Sequence, residues 1–177
     1  MARINSRAKG AKNERKVCKT FQEWTGFEFN RTPASGGLRW KKTDNIVGDL
    51  ICSEPNIIFP FSVEVKAYEE INFEHLLYLK DTKIEKFWNQ ALEDSQRGQK
   101  IPLLLMRYNG MPSDLYFLGM NFKHFLRFRK HLKLEYTYAK LPKHKLVILN
   151  SKALFEAEYT PLEKIAKKII KETWPRK

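Results

Sequence analysis

A carboxylate and an ammonium group stand two residues apart in the stretch Phe61–Tyr68, FSVEVKAY. Side chains of a strand alternate between its faces, so Val63 and Val65 point one way and Glu64 and Lys66 together point the other. The preceding apolar run, IVGDLIC at 46–52, carries a lone acid, Asp49. If the two runs pair as strands, Asp49 and Glu64 converge on one cation. Mg²⁺ prefers hard oxygen donors and is usually held by one or two carboxylates plus water and phosphate. The alternative is an ordinary surface ion pair between Glu64 and Lys66.

Glu14 is a third acid of interest. At 100° per residue it lies within about 60° of Ala11, Val17, Cys18 and Phe21, on the apolar face of an expected helix. A buried carboxylate needs a partner. That partner is either a metal or a nearby Arg or Lys.

The elements that must position these groups can be read from periodicity. Residues 6–25 predict a helix stopped by Gly26. Residues 27–31 predict a short strand, and 33–45 a Gly- and Pro-containing basic loop. The runs 46–52 and 61–67 are expected to pair. Thr82 and Glu85 fit a capping box, and Ile84, Phe87, Trp88, Ala91 and Leu92 form the stripe of a helix ending at Gly98. Strands are expected at 101–108 and 114–120, then a short basic helix capped by Asn121 and running to about residue 130. The stretches 133–139 and 146–149 are weaker strand candidates. A tail helix is expected with Thr160 as N-cap, Pro161 as its first residue and Glu163 at the third position, running to Trp174. The order predicts an α/β fold, a mixed β-sheet flanked by helices.

Length and charge narrow the partners. The 177 residues suit one domain, 1–177. The net charge is +13 and the isoelectric point about 9.7, which favours a polyanionic partner. No apolar run of about 18 residues is present, so no membrane partner is expected. Met1–Lys12 is polar and basic, unlike a secretory signal. Cys18 and Cys52 make no disulfide framework, and His75, His124, His131 and His144 have no zinc-site spacing. The expected home is a reducing cytosol. The charge is uneven: +7 over residues 1–45, −4 over 46–100, +7 over 101–145 and +3 over 146–177. Carboxylates holding a metal beside a bound phosphate would account for an acidic middle between basic flanks. Glu69, Glu70, Glu74, Glu85, Glu93 and Asp94 are read as a solvated acidic face.

The spacing D-x14-E-x-K is the loose form of the PD-(D/E)xK signature. KGAKNER (Lys9–Arg15), Gly26-Phe27, Arg31, Ser35-Gly36, Asp49 and VEVK (Val63–Lys66) follow in the order seen in archaeal-type Holliday junction resolvases and their phage relatives. The chain resembles that family over roughly residues 6–120, with a longer loop between Ser35 and Asp49. The resemblance implies a restriction-endonuclease-like fold and a homodimer with two metal sites. It also implies cleavage of four-way DNA junctions by paired nicks that leave 5′-phosphate and 3′-hydroxyl ends.

Glu14, Asp49, Glu64 and Lys66 match its catalytic positions. Arg15, Arg31 and Ser35 match positions that contact DNA or support the site. Mg²⁺, with Mn²⁺ as a substitute, is expected on Asp49, Glu64 and the Val65 carbonyl, with Glu14 acting through water or on a second ion. No small-molecule cofactor is expected. Arg39, Lys41 and Lys42 in the loop, and Lys123, Arg127, Arg129 and Lys130 in the basic helix, are candidate DNA surfaces by charge. Trp40 either stacks on an unpaired base or packs on the protein. Residues 121–177 are expected to complete the fold or the dimer. Two other readings stand beside this one: a nuclease for other DNA structures, and a non-catalytic nucleic-acid-binding protein.

Overall fold

The computed structural model describes residues 6–32, 46–71, 83–133 and 138–175. Helix α1 (Ser6–Thr25) forms because Val17, Cys18, Phe21 and Trp24 recur at helical spacing and bury one face. It stops at Gly26, whose φ of 78° is left-handed and whose N–H donates to the Gln22 carbonyl at 2.8 Å. Strands β1 (Phe29–Arg31) and β2 (Leu50–Cys52) pair antiparallel in a small two-stranded sheet.

The main sheet has five strands. β3 (Phe61–Tyr68) runs parallel to β4 (Ile101–Tyr108), and helix α2 (Lys83–Arg97) lies between them in sequence. β5 (Phe117–Asn121), β6 (Tyr138–Leu141) and β7 (Leu146–Asn150) continue it antiparallel in the spatial order β3-β4-β5-β7-β6. This is an α/β fold of the restriction-endonuclease-like kind, a mixed sheet flanked by helices. β4 is buried from Ile101 to Met106, as expected of a central strand covered on both faces.

Each face has its own apolar layer. Val63, Val65, Leu103, Leu105, Leu118 and Val147 meet α1 and the C-terminal helix α5 (Tyr159–Thr173). Leu104, Met106, Leu146 and Ile148 meet Ile84, Phe87, Trp88 and Ala91 of α2. Helix α3 (Phe122–Phe128) is capped as expected, the Asn121 side chain accepting from the Lys123 N–H at 2.9 Å. The one-turn helix α4 (Lys152–Phe155) precedes α5.

Two expectations are corrected here. The runs 46–52 and 61–67 do not form a strand pair. β2 is shorter than the apolar run, and its ladder partner is β1. The cause is Gly48, whose φ of 75° bends the chain before Asp49. The tail helix begins at Tyr159 with Glu158 as N-cap, so Thr160 and Pro161 sit inside its first turn. Tyr159 is drawn in because its ring packs 5.0 Å from Trp24. Thr82 of the expected capping box lies outside the described residues.

Candidate active site

The parallel register places Glu64 beside Leu104 and Lys66 beside Met106, so both side chains point to the α2 face of the sheet. Asp49 arrives from the open edge of β3. Its N–H donates to the Val63 carbonyl at 2.7 Å, and its carboxylate oxygen Oδ2 accepts from the Val65 N–H at 2.8 Å. Thr32 holds the same turn, its N–H donating to the Asp49 carbonyl and its hydroxyl to the Gly48 carbonyl. Only glycine fits at 48: a Cβ there would stand 2.6 Å from the Val63 carbonyl oxygen. The N–H and C=O of one strand residue project to the same side. The Val65 carbonyl therefore faces the edge that Asp49 occupies.

Glu64 is 2% exposed and Asp49 8% exposed. The Lys66 ammonium is ion-paired with Glu64 Oε1. Lys66 also donates to Gln90 Oε1 of α2 at 3.0 Å and sits over the Phe87 ring at 5.5 Å. Burial pushes the Asp49 carboxyl up to about 6, against the pull of the Val65 N–H and with the charge of Glu14 adding to the rise. Burial, and then the charge of Asp49, push Glu64 up to about 8. Burial opposes the Lys66 charge, but Glu64 outweighs it and the ammonium is held above its ordinary value.

A divalent metal fits these residues. Two buried carboxylates crowd each other and hold their charge poorly, and every atom they offer is a hard oxygen. The Glu14 carboxylate accepts from Arg31 Nε at 2.5 Å, the ion-pair alternative of the sequence reading. No group of three acidic, His or Cys side chains is placed to share a metal among the described residues. Glu14 still lies close enough for its charge to raise Asp49.

The remaining candidates scatter. Arg31 holds Glu14, whereas Arg15 is exposed on α1. Ser35, Arg39, Trp40, Lys41 and Lys42 lie outside the described residues, as do Glu74 and His75. In the basic helix Lys123, Arg129 and Lys130 are exposed, but Arg127 is ion-paired with Glu172 of α5.

The sequence reading missed Gly48, Gln90 and Asp94. Glycine directly before an acid in an apolar run was a usable signal for the first. Asp94 was read as solvated, yet it is half-buried and its charge reaches both Asp49 and Glu64. Glu85 is half-buried too, 3.3 Å from His144. Cys18 is buried and raised to about 11, chiefly by burial, whereas Cys52 is only half-buried. Among the described residues no helix is long and apolar enough to cross a membrane.

A family model described as "Phage putative PDDEXK endonuclease" matches residues 5–170. The chain is 27% identical over 106 residues to Protein D14 of Escherichia phage T5. That match covers 59% of this chain and 65% of the relative, so the chain spans less than two thirds of that protein's length. No solved structure matches.

Proposed function

The chain belongs to this phage PDDEXK endonuclease family, a branch of the PD-(D/E)xK nucleases, and on that footing we propose that it is a Mg²⁺-dependent endodeoxyribonuclease. The observation that carries the reading is the meeting of Asp49, Glu64 and Lys66 at the open edge of β3. Asp49, Glu64 and the Val65 carbonyl would hold the metal. Bound there, it supplies positive charge to the scissile phosphate and lowers the pKa of a water.

The protein's own part is positioning. The Val65 N–H fixes one Asp49 oxygen and leaves the other available. Glu64 and Gln90 take two sides of the Lys66 ammonium, which has three N–H donors. The third has no acceptor among the described residues and would be open to a phosphate oxygen, where it would stabilise charge that grows in the transition state. Water adds to phosphorus and the bond to the 3′ oxygen breaks, leaving 5′-phosphate and 3′-hydroxyl ends. Burial of the site strengthens each of these interactions.

We further propose that the substrate is a four-way junction, cut by paired nicks from a homodimer. The ordered motif string from Lys9–Arg15 to Val63–Lys66 supports this finer reading. The experiment is cleavage of a synthetic four-way junction and a linear duplex of the same sequence, with and without Mg²⁺, by wild type and Glu64→Gln. Mg²⁺-dependent cutting of the junction alone, lost in Glu64→Gln, is expected. Equal cutting of both substrates would leave a nuclease of broader substrate. No cutting under any condition would reject the enzyme.

A further inference from the structure

A groove leads away from the β3 site along one face of α1. A cleft of about 550 Å³ opens beside Val65 and Lys66, with Lys9 and Gly10 of α1 on its opposite wall. A second cleft, of about 200 Å³, shares Lys9, Ala67 and Tyr68 with the first and continues past Lys12 and Lys16 to Arg107. The shared walls make the two one channel.

Lys9, Lys12 and Lys16 stand at i, i+3 and i+7, which puts them on one face of the helix over about 10 Å. None forms an ion pair with a described residue. Arg107 is anchored differently. Its guanidinium donates to the carbonyls of Ser113 at 3.0 Å and Met111 at 2.8 Å, and it lies 5.4 Å over the Tyr116 ring. It is thus held in place by groups that carry no negative charge. The carboxylates that line the channel, Glu69 and Glu70, belong to the first cleft only. Four cations with no carboxylate partner among the described residues, along a groove that begins at Lys66, form a local field for a chain of phosphates.

We propose that this channel is the track for the DNA strand that enters the β3 site, with Lys9, Lys12, Lys16 and Arg107 contacting successive phosphates on one side of the cut. The proposal rests on the nuclease reading and adds the path of the substrate to it. The track reads charge and not sequence, because phosphate contacts position a strand without specifying its bases.

The test compares wild type with two triple variants. One is Lys9→Ala/Lys12→Ala/Lys16→Ala; the other, Lys143→Ala/Lys164→Ala/Lys168→Ala, removes the same charge from exposed positions outside the channel. Binding of a four-way junction and of a duplex is measured by fluorescence anisotropy from about 50 to 200 mM salt, each contact weighing on the salt slope. Single-turnover cleavage at saturating protein is measured alongside. The channel variant should lower the slope of log affinity against log salt by roughly 2 to 3, one step per lost phosphate contact. Its cleavage rate at saturation should stay within a few-fold of wild type, while the other triple variant keeps the wild-type slope.

Equal slopes for the two triple variants would overturn the track. So would a channel variant with unchanged affinity and a lost cleavage rate. If wild type cuts no DNA, the nuclease reading itself fails, an outcome distinct from either. A Lys12→Glu variant with unchanged thermal stability guards against misfolding, and it should bind more weakly than Lys12→Ala.

Discussion

Glu64 is the residue whose surroundings are least comfortable without a cation. It is buried, and the charge of Asp49 bears on it. Replacing it with Gln, or Lys66 with Ala, should lower cleavage by about 10²–10³ or more, the usual loss when one charge-stabilising group is removed. Binding of the junction should persist in both, and gel-shift and cleavage assays read the two properties separately. The same crowding makes stability depend on pH. The folded pair holds protons that the unfolded chain has released, because its carboxyls are pushed up to about 6 and 8 from 3.8 and 4.5. The pair's contribution is therefore most favourable below about pH 4 and is lost as pH rises toward 8. Metal-free protein should melt lower at pH 8 than at pH 5, by roughly 2–4 °C for each kcal/mol involved. Glu64→Gln should flatten that dependence, and Mg²⁺ should raise the melting temperature at pH 8 far more than at pH 5. Differential scanning fluorimetry checks all three. Glu64 and Lys66 were legible in the sequence because period-two alternation is a local rule. Gln90 was not, since its bond to Lys66 spans 24 residues and needs α2 folded onto the sheet.

At the scale of elements, two supports hold the site. One is the turn before β2. Gly48→Ala would press a Cβ into the Val63 backbone at a left-handed φ, at a cost of about 1–3 kcal/mol. It should displace Asp49 as well, so cleavage should fall far more than thermal stability, which activity and melting data compare directly. The other support is α1, pinned at its C-terminal end by an aromatic cluster. The Phe21 ring lies 5.2 Å from Phe155, 5.6 Å from Phe29 and 5.7 Å from Phe59. Phe21→Ala should cost about 3–5 kcal/mol, a fall of roughly 6–20 °C in melting temperature. Helical periodicity gave α1, α2 and the cap of α3 directly. It misplaced the start of α5, because Thr160-Pro161 is a good local signal and the packing of Tyr159 on Trp24 outweighs it. It also paired the wrong strands, because apolar runs state that a segment is buried and not which neighbour it bonds.

At the scale of the whole molecule, cations dominate the surface while the acids that matter are gathered inside one edge of the sheet. A homodimer acting on a junction makes a further prediction. Mixing wild-type chains with Glu64→Gln chains should yield junctions nicked on one strand, resolved by denaturing and native gels. Only fully cut and uncut products would argue against paired sites. The residues after 120 supply β7, which bonds to β5, and β6 beyond it, so the sheet is assembled from both halves of the sequence. The sequence alone determined the class of fold and the basic character, and it singled out Asp49, Glu64 and Lys66 as a candidate group. Composition and short-range alternation carry those properties, and both can be read along a single line of residues. Tertiary structure alone decided that Glu14 closes on Arg31, that Asp94 lends its charge to the site, and that Lys9 borders the cleft beside Lys66 while Lys12 and Lys16 border the one adjoining it. These are contacts between elements far apart in the chain. Their energies depend on burial and distance, which exist only after the sheet has formed.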